Sequence, residues 1–140
     1  MKDDASITVA LIAEGHAVRL TPQGVSMRPL LDGKTDSVVV GPLQGDPKPG
    51  DLVLFREAGG LLAVHRVLCV RGESGACDLL GDGNITPERD VPLRNVFGRV
   101  ERICRRGREF SVRHPFYRIY VLIWMHTRRY RKKLLRLLAK

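Results

Sequence analysis

The chain has 140 residues, 44% of them apolar, with 24 Lys and Arg against 15 Asp and Glu. That length suits one domain with a real core, and 14 scattered Gly with 8 Pro exclude a collagen-like or low-complexity polymer. The net charge of +9 lies wholly in residues 110–140, which hold nine basic side chains and no acid. A neutral body with a basic tail points to an anionic surface as partner.

In chain order, Asp3 and Asp4 predict the cap of a short helix over Ala5–Glu14, stopped by Gly15. Ala17–Leu20 reads as a strand, and a brief helical turn is expected after Ser26, through Leu30 or Leu31. Further strands are expected at Ser37–Val40, Asp51–Arg56, Leu61–Arg71, Cys77–Leu80, Val96–Ile103 and Phe110–Val112, joined by short Gly- and Pro-containing turns. The body is therefore mainly β. Cys69 and Cys77 lie equally far from Glu73, the centre of one expected hairpin, and so could face each other across two strands. Free thiols are nevertheless expected, and Cys104 has no evident partner. Three Cys at such irregular spacing make neither a disulfide framework nor a four-ligand zinc site.

The tail changes period. Phe116, Ile119, Tyr120, Ile123, Thr127, Tyr130, Leu134 and Leu137 recur every three or four residues, the stripe of an amphipathic helix. Trp124 with Arg128, Arg129, Arg131, Lys132, Lys133 and Arg136 would suit an anionic membrane surface. The alternative is that Phe116–Trp124 packs on the β body and only the last turns are free. No stretch approaches the ~20 apolar residues that span a bilayer. No apolar run with a cleavage site follows the acidic start, so no signal peptide is expected. The expected location is cytoplasmic or peripheral to a membrane.

Gly24-Val25-Ser26-Met27-Arg28-Pro29-Leu30 is the stretch that carries chemistry. A serine there, at a strand-to-helix turn, exposes its hydroxyl and leaves its backbone N–H free to donate. Such a serine alone is ordinarily a helix cap. Four further motifs follow in order: Pro49-Gly50-Asp51-Leu52-Val53-Leu54-Phe55, Val64-His65-Arg66-Val67, Gly81-Asp82-Gly83-Asn84 and Val96-Phe97-Gly98-Arg99-Val100. The series resembles the signal peptidase I family of the S24/S26 serine peptidase clan, over roughly residues 16–103.

The resemblance implies a β-rich signal peptidase/LexA-like catalytic fold for the body. With the periodic tail added, the chain divides into a peptidase core over 1–112 and a basic amphipathic C-terminal helix over 113–140. It implies Ser26 as nucleophile, His65 as general base and Asp82 as the orienting acid. Strand Leu61–Val70 contains no Lys, and His65 stands where many relatives carry a lysine base, as in the archaeal, endoplasmic-reticulum and spore-former branch. A histidine near its reference pKa of about 6.5 would fail as a base once protonated. The Ser26 N–H would serve the oxyanion, Gly24 could offer only backbone there, and Met27 would pack or line the substrate groove. Asp51 is expected to shape its own turn.

The expected substrate is an extended segment of a protein or peptide precursor, cut after small side chains, with no metal or organic cofactor. The 23 residues before Gly24 offer only an amphipathic helix, so membrane contact is expected through the tail. Two other classes compete. One is a LexA-like regulator binding nucleic acid, disfavoured because the basic region is C-terminal and no helix-turn-helix precedes the core. The other is a non-catalytic module that binds export signals or membranes.

Overall fold

Strand β3 (Leu52–Arg56) is apolar at four successive positions, the pattern of a strand covered on both faces. In the computed structural model, which describes residues 2–138 (backbone only for residues 2–4), β3 lies in the middle of a mainly β fold. The elements are α1 (Lys2–Ala13), β1 (Val18–Leu20), β2 (Ser37–Gly41), β3, β4 (Leu62–Arg71), β5 (Ala76–Leu80), β6 (Glu88–Pro92), β7 (Val96–Arg105), β8 (Arg108–Ser111), α2 (Pro115–His126) and α3 (Arg131–Leu138). Short 3₁₀ turns at Leu93–Asn95 and Arg128–Tyr130 precede β7 and α3.

The eight strands form one antiparallel sheet in the order β1-β2-β7-β3-β4-β5-β6, with β8 on β7. β7 is long enough to serve β2 along one edge, and β3 then β8 along the other. Side chains alternate across the pleat. Leu52 and Leu54 therefore enter one core with Ile12, Met27, Leu30, Leu31, Val38, Val40, Val100, Ile103 and Tyr117. Val53 and Phe55 enter the other, with Val67, Cys77, Leu79, Val91 and Val96. Register shifts in β2, β3, β4 and β5 mark bulges, which bend and twist the strands.

Several expectations move. The backbone of α1 is already helical at Lys2, so Asp3 and Asp4 lie within its first turn; their side chains fall outside the described residues. The segment after Ser26 is a string of turns rather than a helix, with one helix-like bond from Leu31 N–H to the Met27 carbonyl. Pro29 has no N–H to continue a helix and restricts Arg28 before it. Strand β6 was not expected: of its five residues only Val91 is buried, and Asp90 takes a positive φ of 57°. Charge and proline are common on an edge strand, where they also hide it from pattern reading.

The hairpin register is one residue off the expected centre. Val70 pairs with Cys77, while Cys69 lies opposite Asp78 and their side chains are 3.4 Å apart. The four-residue turn 72–75 sets this register, starting from Arg71 opposite Ala76, so the two cysteines are out of opposition, and both are free.

The tail is two helices, not one. Thr127 closes α2, its hydroxyl donating to the Ile123 carbonyl at 2.6 Å. Tyr117, Trp124 and Arg131 face inward, whereas Phe116, Ile119 and Ile123 of the expected stripe are exposed. α2 is apolar nearly all round, so periodicity alone chooses the wrong face.

Ile12 fastens α1 to the sheet from a fully buried position, while Ile7 on the same helix is exposed. Ile12→Ala is expected to cost about 3 kcal/mol in urea unfolding, and Ile7→Ala less than about 0.5 kcal/mol.

Candidate active site

His65 sits on β4 opposite Val53 of β3, with its ring 5.2 Å from that of Phe55. The strand alternation that buries Val67 buries His65 on the same face, and only 4% of its surface is exposed. Its Nε2 points out of this apolar wall to Ser26, whose Oγ lies 3.2 Å away. Thirty-nine residues of chain separate the two. The structure thus joins the predicted nucleophile and base at hydrogen-bonding distance.

The serine is held by the Gly81–Asn84 loop. Gly83 N–H donates to the Ser26 carbonyl at 2.8 Å, and Asn84 N–H closes the loop onto Gly81. A Cβ on Gly81 would lie 2.3 Å from the Ser26 carbonyl oxygen and 3.1 Å from His65 Nε2. One on Gly83 would lie 2.6 Å from the Val25 oxygen and 2.9 Å from that of Arg28. Both glycines are therefore steric requirements of the serine turn. Among the described residues the Ser26 N–H has no backbone partner, which leaves it available to an incoming oxyanion. Gly24, at φ 79°, opens the turn. Met27 is buried in the core, where its sulfur lies 3.4 Å from the Asp82 N–H, so it packs rather than lining a groove.

Asp82 is not where the resemblance put it. Its carboxylate makes a two-pronged pair with Arg66, Nε to Oδ1 at 2.8 Å and Nη2 to Oδ2 at 2.7 Å. Tyr120 donates its hydroxyl to the same carboxylate at 2.7 Å, and Trp124 donates its indole N–H to the Asp82 carbonyl at 3.1 Å. These partners occupy the carboxylate, and it makes no hydrogen bond to His65. Arg66 also donates to the Gly50 carbonyl at 2.8 Å and to the Tyr117 hydroxyl at 3.1 Å. Burial opposes the arginine's charge, yet the Asp82 carboxylate holds its pKa above the ordinary value.

The acid beside His65 is Glu88 of β6, with Oε1 2.9 Å from Nδ1. The two atoms are close but not aligned as a hydrogen bond, since Nδ1 is otherwise unpartnered. Burial pushes the His65 pKa down to about 4, against the pull of the Asp82 charge. Burial and the charge of Glu57 raise the Glu88 carboxyl above its ordinary value. A neutral imidazole therefore faces Glu88 near pH 7. Asp51 is structural, as expected: its Oδ2 accepts from Lys48 N–H at 2.8 Å and lies 2.9 Å from Arg99 Nε.

Arg66 and Glu88 were missed. An arginine inside an apolar strand run, next to His65, is the one signal that could have announced a buried ion pair. Nothing in Glu88-Arg89-Asp90 marks a site. Trp124 and Arg131, expected at a membrane surface, are buried instead. The Arg131 guanidinium covers the Trp124 ring at 4.9 Å and donates to the Trp124 carbonyl at 3.0 Å. Arg128, Arg129, Lys132, Lys133 and Arg136 are exposed.

A mostly apolar cavity of about 700 Å³ lies between β8 and α2, lined by Phe110, Phe116, Tyr120 and Ile123, with Pro29 and Leu30 of the serine turn at its wall. Ser26 and His65 do not line it. Among the described residues there is no group of three or more His, Cys, Asp or Glu side chains able to hold a metal ion. None of their helices is long and apolar enough to cross a membrane. Comparisons of the chain with protein-family models, curated proteins and solved structures find no match.

The two carboxylates have separable roles. Asp82→Asn strands the Arg66 charge in the core and is expected to cost about 3–5 kcal/mol in urea unfolding. Glu88→Gln, at a partly exposed position, is expected to change stability by less than about 0.5 kcal/mol.

Proposed function

We propose that the protein is a serine endopeptidase in which Ser26 is the nucleophile and His65 the general base. The 3.2 Å contact between Ser26 Oγ and His65 Nε2 carries this reading. A serine hydroxyl is a weak nucleophile until an adjacent base takes its proton. His65 Nε2 accepts that proton as Oγ attacks the scissile carbonyl carbon, and the Ser26 N–H faces the oxygen that gains charge. The imidazolium then protonates the departing amine, leaving an ester on Ser26. Water attacks the ester, giving its proton to His65, which passes it to Ser26 Oγ as the acid product leaves.

Glu88, whose Oε1 lies 2.9 Å from Nδ1, and the buried Asp82 charge both favour the imidazolium that forms. Asp82 acts at one remove: it anchors Arg66 and fastens the loop that holds the serine turn. The ordered motifs around these residues support kinship with signal peptidases, and with it an extended precursor segment cut after small side chains. An extended peptide satisfies its backbone by lying along a strand.

Incubation of a diverse peptide pool with the wild-type protein, read by mass spectrometry, is expected to give cleavage after small residues. Ser26→Ala and His65→Ala should each abolish it, and cleavage surviving in Ser26→Ala would overturn the assignment. Because the base must be neutral, activity is lost as pH falls through its pKa. With His65 held down to about 4, the acid limb of kcat/KM should fall near pH 4 rather than near the about 6.5 of a free imidazole.

A further inference from the structure

α2 presents apolar side chains on both of its faces. Inward go Tyr117 and Trp124; outward go Phe116, Ile119, Leu122 and Ile123, each more than half exposed. Phe116, Ile119 and Ile123 follow at i, i+3 and i+7, so they share one side of the helix. A helix apolar all round is ordinarily covered all round, and here one side faces water. Leu138 of α3 lines the same cavity as Phe116 and Ile123, so the end of α3 extends this apolar surface.

Charge says what covers it. Arg128, Arg129, Lys132, Lys133 and Arg136 are exposed on the turn and helix that follow α2. Arg105 and Arg108 stand at the cavity with the apolar side chains. Residues 110–140 hold no acid. Glu109, at the same cavity, is paired with Arg19 and Arg102. We propose that this surface docks on an anionic lipid bilayer, with Phe116, Ile119, Leu122 and Ile123 entering the headgroup–acyl boundary and the arginines and lysines engaging lipid phosphates.

Each element matches that interface. An apolar helix face flanked by Lys and Arg lies in the plane of a bilayer, its affinity the sum of buried apolar area and attraction to anionic headgroups. A nucleic acid would satisfy the cations and leave four large apolar side chains in water. A second copy laid on the same face would set the five cations of the α3 segment against their like. The proposal does not depend on the peptidase reading, since none of these residues touches Ser26 or His65.

The test is sedimentation of the full chain with vesicles of phosphatidylcholine alone or mixed with phosphatidylglycerol, at low and high salt. Binding is expected on the mixed vesicles and should weaken with salt. Phe116→Ser/Ile119→Ser/Leu122→Ser and Lys132→Glu/Lys133→Glu/Arg136→Glu should each weaken it about tenfold or more. All six positions are exposed, and an unchanged circular dichroism spectrum verifies the fold. Failure to sediment with either vesicle would overturn the proposal, as would binding untouched by the serine variant. A dimer in light scattering that the serine variant dissociates, or tighter binding to duplex DNA than to vesicles, would also overturn it.

Discussion

Arg66 and Asp82 meet as an ion pair in the interior, neither of them more than 1% exposed. Two full charges lie inside the protein, and the cost of removing them from water is offset only by close geometry and complete hydrogen bonding. Both conditions are met: two parallel bonds join guanidinium to carboxylate, Gly50 and Tyr117 take a further arginine N–H, and Tyr120 donates to the acid. Those partners come from β4, the loop before β3, the loop after β5 and α2. One buried ion pair thus ties the C-terminal helix, the sheet and the loop behind the serine into a single unit.

The consequence for the site is positional. His65 and Arg66 are neighbours on β4, so the pleat sends them to opposite faces. Arg66 draws the Asp82 loop against the strand, and the glycines flanking Asp82 let that loop lie directly on the Ser26 turn. The serine thereby comes to the one histidine nitrogen that emerges from the apolar wall. Burial of that histidine does a second thing: it keeps the imidazole neutral, the form a general base requires.

Much of this was legible in the sequence where a local rule acts alone. The continuous apolar run of β3, the short Gly- and Pro-containing turns between strands and the order of the motifs around Ser26 and His65 all depend on neighbouring residues. What was illegible depends on choices between partners distant in the chain. Motif order brings Asp82 near the serine but does not say whether its carboxylate faces His65 or Arg66; the buried arginine, needing a counter-ion, takes it. Glu88 lies on an edge strand with one buried residue in five, too charged and too short to be read as a strand. Trp124 is expected at a membrane surface because α2 offers two apolar faces, and only packing on the Asp82 loop decides which turns inward, drawing Arg131 of α3 in over the Trp124 ring. The turn 72–75 has its centre between Glu73 and Ser74 rather than at Glu73, and that half-step puts the cysteines one place out of opposition.

The most direct test of the central claim is covalent labelling by a peptidyl phosphonate carrying a small side chain before the reactive phosphorus, with the modified residue located by peptide mapping. Only an activated hydroxyl displaces the phosphonate leaving group at neutral pH. A single adduct on Ser26 is expected, absent from His65→Ala and retained, at a reduced rate, in Glu88→Gln. An adduct at another residue, or labelling of Ser26 at the same rate without His65, would contradict it.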